Sequence, residues 1–200
     1  RLGQIRTGAA SGLASRFLSK KTSSKIGVIG TGYQAETQVE AVCDVRDISI
    51  IKVFSRTKNK RELFKSKMTK ILGDRISICN SLEEVSDGID ILITITNSVD
   101  PVVTSEMISR GLHINAAGNN SWMKSEIDIK AFSEFNLVVT DDVEQSKIEC
   151  GELIMAVEKG IFSWDKVVQL DSVVSGNLKG RLPDQDVTLF ESQGIALEDL

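Results

Sequence analysis

The sequence predicts an α/β fold, a doubly wound parallel sheet covered by helices on both faces. Two observations carry this expectation. Short β-type segments alternate with helical ones between residues 25 and 140, and the first strand runs directly into a Gly-x-Gly-x-x-Ala turn that opens a helix. Size agrees with it, since 200 residues, 41% of them hydrophobic and 26% charged, bury one sizeable core but not two full domains.

Each element rests on local pattern. Residues 7–18 have helical periodicity, with Ala10, Leu13, Ala14, Phe17 and Leu18 on one face. A polar break at 19–24 precedes a β-type segment at 25–29. Then 36–45 reads as helix, 48–54 as β-rich, 58–72 as a charged amphipathic helix and 76–79 as a strand. A short helix at 82–85 leads to 89–96, a strand buried on both faces. The segments 105–110, 112–117, 127–132 and 137–140 continue the rhythm. Beyond Asp141 it changes: 142–159 is one long helical stretch interrupted at Gly151, and 167–173 is a further strand. A glycine-rich connection follows, then the segment 188–194, and 195–200 start a helix that the chain does not finish. There is no internal repeat and no low-complexity segment.

Charge and residue counts exclude several classes of partner and chemistry. A formal net charge of -4 opposes a nucleic-acid surface, which needs a basic face. No apolar run approaches the roughly 18 residues of a membrane span, and the N-terminal residues lack the apolar core of a secretory signal, so no membrane partner and a cytoplasmic setting are expected. Cys43, Cys79 and Cys150 are scattered and odd in number, which reads as buried free thiols instead of a disulfide framework or a zinc site. His113 is the single histidine, so serine-histidine or cysteine-histidine catalysis would have to run through it and multi-histidine metal sites are excluded. Its apolar setting reads as a hydrogen-bonded histidine at the start of a strand. No metal site is expected.

The strongest signal for chemistry is Gly30-Thr31-Gly32-Tyr33-Gln34-Ala35. In a strand-turn-helix context Gly30 allows the tight turn, Gly32 lets backbone amides approach a pyrophosphate, and small Ala35 allows close packing of helix on sheet. The helix N-terminus adds a positive dipole. This is the fingerprint of a dinucleotide site in a Rossmann-type fold. At the tip of the second strand a carboxylate would select NAD and a basic residue would tolerate the 2′-phosphate of NADP. The chain reads Phe54-Ser55-Arg56-Thr57-Lys58-Asn59-Lys60, with no carboxylate, so NADP(H) is favoured, with NAD(H) the alternative.

Four segments, in order along the chain, resemble the ornithine cyclodeaminase/mu-crystallin family. They are Arg6-Thr7-Gly8-Ala9-Ala10-Ser11, the glycine-rich turn, Leu112-His113-Ile114-Asn115-Ala116-Ala117-Gly118, and the stretch from Asp186-Val187-Thr188-Leu189-Phe190 through Glu191-Ser192-Gln193-Gly194-Ile195-Ala196. The resemblance covers essentially the whole chain. It implies a two-domain protein in which 1–20 is a linking helix from an absent N-terminal substrate domain, 21–175 the Rossmann domain, and 176–200 a return segment toward the substrate domain, which also dimerises. A lysine that the family uses in the substrate pocket would lie before Arg1.

The resemblance also implies roles. Arg6 matches the arginine that pairs with the substrate carboxylate, and Thr7 lies beside the cofactor. Tyr33 and Gln34 match contacts of the pyrophosphate loop. Ser55, Arg56, Thr57 and Lys60 align with positions that hold the ribose phosphate of NADP, and Thr96 with a residue beside the nicotinamide ribose. Ala116, Ala117, Lys124, Ser192 and Gln193 fall where members contact nicotinamide or substrate. Asn120 stands where cyclodeaminases and archaeal alanine dehydrogenases place an acid/base aspartate, and an amide does not ionise near neutral pH. Glu126 and Asp128 are candidate substitutes, although both read as charges in the first turn of a helix.

The resemblance implies first an NAD(P)-dependent oxidoreductase acting on the C–N bond of an amino or imino acid, of the amino-acid dehydrogenase or ketimine reductase type. The alternatives are an ornithine cyclodeaminase, an ammonia lyase forming proline with catalytic NAD, and an NADP-loaded binding protein of the mu-crystallin kind.

Overall fold

The computed structural model describes residues 2–194, so Arg1 and the helix expected at 195–200 lie outside the described residues. In chain order the strands are β1 (Lys25–Ile29), β2 (Ile50–Phe54), β3 (Ile76–Ile78), β4 (Ile91–Thr94), β5 (His113–Ala116), β6 (Leu137–Thr140), β7 (Val167–Gln169) and β8 (Thr188–Glu191). The helices are α1 (Leu2–Leu18), α2 (Ala35–Val45), α3 (Lys58–Leu72), α4 (Leu82–Ser86), α5 (Val143–Glu149), α6 (Gly151–Glu158) and α7 (Leu170–Val174). All eight strands form one sheet in the order β3-β2-β1-β4-β5-β8-β6-β7, and every pairing is parallel.

Every residue of β4, β5 and β8 is buried, as expected of a parallel sheet covered on both faces. One apolar cluster joins Ile26, Val28, Val39, Val42, Phe64 and Met68 under α2 and α3. A second joins Leu92, Ile114, Phe132, Leu153 and Leu189 on the opposite face. The chain moves from β1 outward to β2 and β3, then crosses back to β4, so the strand order reverses between β1 and β4. In open α/β sheets a ligand crevice forms at that point, beyond the carboxyl ends of the strands.

Several elements differ from their sequence reading. Helix α1 starts at Leu2, and its buried face is a small-residue stripe including Gly8, Gly12 and Ala14, while Leu13 is exposed. A Cβ on Gly8 would meet the Thr37 carbonyl oxygen at 2.5 Å, and one on Gly12 the Ala41 side chain at 2.9 Å. This closeness of α1 to α2 outweighs the apolar periodicity. The segments 105–110 and 127–132 hold only single 3₁₀ turns, at Ser105–Met107 and Ile129–Glu134. The expected strand 167–173 bends after Gln169 into α7. The long helix after Asp141 breaks at Cys150, whose backbone is extended, and Gly151 starts the next helix. Gly151 is there for close approach, since a Cβ would lie 2.3 Å from the Lys124 carbonyl oxygen. The largest difference is β8. Residues 188–191, read as part of a return segment beyond residue 175, form a strand inside the sheet between β5 and β6.

Candidate functional site

The glycine-rich turn leaves β1 at Gly30, whose φ of 104° is one that side chains rarely adopt. A Cβ there would lie 2.3 Å from the Ile95 carbonyl oxygen, so the turn fits against the end of β4 only with glycine. Gly32 has nothing within 4 Å of its Cβ position, leaving its backbone open to an approaching ligand. Gln34 precedes α2 and no side chain caps that helix; the Ala35 amide donates to the Gly32 carbonyl at 3.2 Å, and the amides that follow it in the first turn remain available to an anion. The turn is fastened from behind by buried Gln4, whose amide donates to the Tyr33 carbonyl, and by Thr37, whose hydroxyl donates to the Gln4 carbonyl at 2.7 Å.

These segments border a cleft of about 830 Å³ at the carboxyl ends of β1, β2, β4, β5 and β8. That volume lies within the range of roughly 300–1,000 Å³ typical of small-molecule and cofactor sites. The cleft gathers Arg6, Thr7, Gly30, Gly32, Tyr33, Gln34, Ser55, Arg56, Thr57, Lys60, Thr96, Ala117, Asn120, Ser192 and Gln193. Ala116 and Lys124 are not part of its wall: Ala116 is buried as the last residue of β5, and the Lys124 carbonyl accepts from Asn119 at 2.6 Å. Arg6, Arg56 and Lys60 are the charged side chains of this lining, which among the described residues holds no carboxylate, histidine or cysteine. The electrostatics therefore favour an anionic ligand, and the lining supplies no carboxylate or imidazole to act as acid or base near neutral pH.

Sequence reasoning missed several neighbours. Thr31 shares a 2.8 Å hydrogen bond with Ser55 and so couples the turn to the tip of β2. Asn97, Ser98, Leu82 and Val102 also face the cleft. Arg56, Thr57 and Lys60 are exposed where α3 begins, placed to meet a group extending past the end of β2. At the other end Arg6 lies along α1, folded over Gly3, whose Cβ position is 3.7 Å from its Nε.

The far wall is built by three loops. Asp141, at the end of β6, accepts through Oδ2 from the backbone amides of Gln193 and Gly194, each at 2.8 Å, and from the Ser192 hydroxyl at 3.2 Å. Gln193 is 4% exposed, and its amide nitrogen and oxygen have no hydrogen-bond partner among the described residues. Buried amides without partners are uncommon and fit a ligand that completes them. The other two loops follow β4 and β5. Glu126 joins them: its Oε1 accepts from the Thr94 hydroxyl at 2.8 Å and the Thr96 amide at 2.6 Å, and its Oε2 from the Gly118 amide at 2.8 Å.

This corrects the reading of Glu126 as a charge in the first turn of a helix. It is fully buried and lies in no helix, because the nearest turn begins at Ile129 with Asp128 as its cap. Asn119 is buried and donates to Glu152 Oε2 at 2.8 Å, while Asn120 is exposed on the cleft. Behind this loop Cys150, Glu152 and Glu191 bring a thiol and two carboxyls within 4.8 Å of one another. Burial pushes the Glu152 carboxyl up to about 7 against the opposing hydrogen bond from Asn119. Burial, reinforced by Glu152 and Glu126, also raises Glu191 well above the usual carboxylate range.

His113 is fully buried, within hydrogen-bond distance of Thr188 Oγ1 (2.9 Å) and Asn115 Oδ1 (3.1 Å), away from the cleft. Burial, with Arg181 nearby, holds its pKa down to about 3. The cysteines are free thiols, Cys79 and Cys150 buried and Cys43 half-buried.

With this geometry in hand, the comparisons with known proteins converge. The profile of the ornithine cyclodeaminase/mu-crystallin family matches residues 1–200. The chain is 38% identical over 198 residues to an alanine dehydrogenase of Archaeoglobus fulgidus, covering 98% of this chain and 60% of that one. It is 32% identical over 200 residues to a Δ1-pyrroline-2-carboxylate reductase of Bacillus cereus, covering 100% and 61%. The solved structure of the Thermococcus litoralis Δ1-pyrroline-2-carboxylate reductase, in complex with NADH and L-proline, superposes with a TM-score of 0.96 at 36% identity, over 99% of this chain and 61% of that one. The chain thus spans about three fifths of the length of the curated relatives it matches. A single family profile over the whole chain, and relatives that align with nearly all of it at this level, show that the chain belongs to the ornithine cyclodeaminase/mu-crystallin family.

Proposed function

We propose that this chain is the dinucleotide-binding part of an NAD(P)-dependent oxidoreductase that acts on the C–N bond of a small amino or imino acid. The observation that carries the reading is the composition of the cleft: an anion-binding glycine turn near one end, Arg6 and an unsatisfied Gln193 amide near the other, and no carboxylate, histidine or cysteine among its described lining residues. The Thermococcus relative holds NADH and L-proline, which supports the same class of substrate here.

A bound nicotinamide would supply hydride transfer to or from the substrate α-carbon. The chain's own residues bind and orient. The backbone amides of residues 31–34 and those of α2 just beyond Ala35 would receive the pyrophosphate. Arg6 pairs with the substrate carboxylate, a task suited to a planar, permanently charged fork. Gln193 and Asn120 offer hydrogen bonds that fix the substrate, and Asn120 does so without exchanging a proton near neutral pH. That favours net oxidation or reduction over loss of ammonia with ring closure.

For the adenosine end, NADP(H) is favoured by the exposed Arg56 and Lys60 and by the absence of a carboxylate from residues 54–60. A second, dimerising substrate domain is supported by the share of the relatives' length that the chain covers and by Leu2 and Ile5, 64% and 52% exposed on α1. No helix among the described residues is long and apolar enough to cross a membrane. The free thiols support a cytoplasmic setting.

The test is turnover by the full-length protein, followed at the reduced-nicotinamide absorbance with cyclic imino acids and with 2-oxo acids plus ammonia. Net, stoichiometric oxidation of the cofactor is expected. Sustained conversion of ornithine to proline without net change would sink the reading. So would a lack of hydride exchange from deuterated cofactor across the same panel.

A further inference from the structure

Glu126 is a fully buried carboxylate that the proposed chemistry does not use. It is not part of the cleft wall and bonds from behind to Thr96 and Gly118, which are. Its three donors come from two different places: the Thr94 hydroxyl and Thr96 amide at the end of β4, and the Gly118 amide just past the end of β5. Both backbone amides belong to strand ends that run out of ladder partners, and a carboxylate with four acceptor sites satisfies them together.

The two strand ends are drawn unusually close. A Cβ on Gly118 would lie 2.3 Å from both the nitrogen and the oxygen of Thr96 and 2.6 Å from Glu126 Oε1, so only glycine fits between them. A second carboxyl stands behind the first. Glu152, on α6, accepts from the Glu126 amide at 3.3 Å and from Asn119 at 2.8 Å. Asn119 in turn accepts from the Ser121 amide at 3.0 Å. The loop after β5 therefore hangs on two stacked buried carboxyls.

We propose that Glu126, backed by Glu152, is a positioning residue that holds the loops after β4 and β5 in register and so fixes the nicotinamide half of the cofactor without contributing to the adenosine half. This rests on the dinucleotide reading above, in which the adenosine lies over β2 and the nicotinamide over β4 and β5. A brace at this place sets the angle at which the nicotinamide ring meets the substrate, and misplacement of reacting atoms by about an ångström costs on the order of a hundredfold in rate.

The experiment compares parent, E126Q and T94V in the full-length protein. Three quantities are read: affinity for adenosine 2′,5′-bisphosphate or ADP, affinity for the whole cofactor, and kcat with its isotope effect from deuterated cofactor. The E126Q amide turns a donor toward one of three donors. It is expected to lower kcat by about tenfold to a hundredfold and raise the isotope effect, while half-ligand affinity stays within about twofold. T94V removes one hydroxyl donor and is expected to act in the same direction by about threefold, which keeps the question answerable if E126Q does not fold. Equal weakening of half-ligand and whole cofactor, or unchanged kcat in both variants, would overturn the brace. A parent protein that binds no dinucleotide would instead overturn the reading on which it rests.

Discussion

Asp141 and Gln193 are 52 residues apart in sequence, yet the Asp141 carboxylate takes the Gln193 backbone amide at 2.8 Å and thereby places the cleft's unsatisfied side-chain amide. Burial pushes the Asp141 carboxyl up, and its hydrogen bonds from Gly194, Asp142 and Gln193 pull the other way. D141N would present a donor to the Gln193 and Gly194 amides, whose acceptor among the described residues is Asp141 Oδ2. It is expected to destabilise the protein by about 1–3 kcal/mol and to raise KM for the substrate, checked by thermal unfolding and initial rates.

Gly30 holds a positive φ with the Ile95 carbonyl where a side chain would begin. G30A is expected to cost about 1–3 kcal/mol from backbone strain alone, with a further cost from the clash, and to abolish measurable dinucleotide binding. Calorimetric titration of the folded variant checks it. Binding at parental affinity would contradict the assigned role of the turn.

Arg6 belongs to the substrate end of the cleft. Loss of a charge-assisted pair is worth about 1.5–3 kcal/mol, so R6A is expected to raise KM for the amino or imino acid by roughly tenfold to a hundredfold. Cofactor affinity should stay within about twofold. Equal losses of both would place Arg6 on the dinucleotide instead.

Arg56 is the corresponding test for the adenosine end. R56D is expected to weaken NADPH by at least about tenfold more than NADH, because it removes a planar cation and adds a charge that repels phosphate. Parallel losses for the two cofactors in fluorescence titrations would show that Arg56 does not read the 2′-phosphate.

The buried carboxyls give stability a defined pH dependence. Glu152 is raised to about 7 by burial, so between its unfolded value near 4.5 and about 7 the folded state holds the extra proton. Stability from this group is therefore lost as pH rises through that window. His113, depressed to about 3, acts oppositely, because below about 6.5 the unfolded state takes up the proton that the folded state refuses. E152Q removes the Glu152 contribution and eases the upward push of that charge on Glu191, so its Tm is expected to fall less than the parent's between pH 5 and 8. An identical slope in parent and E152Q would refute the assignment.

Much of the fold was legible because local pattern and tertiary outcome coincided. β1, β6 and α3 fall at the residues their sequence patterns marked, and the glycine turn lies where its spacing predicted. The misses share one cause, that the deciding contact is distant in sequence. Glu126 reads as a charge in the first turn of a helix until Thr94, Thr96 and Gly118 are brought to it. The stripe Gly8 and Gly12 reads as weak helix until α2 lies against it.

The placement of β8 bears on how the protein assembles. Strands β5 and β6 are not neighbours; each pairs with β8, which is the last described strand to be synthesised. Until residues 188–191 arrive, β6 and β7 have no ladder joining them to the other five strands, and Ser192 and Gln193 cannot reach the cleft. Such long-range parallel closure is slow. Joining the two parts of the sheet and completing the ligand cleft are thus one event, so a nascent or truncated chain ending before residue 188 lacks both at once.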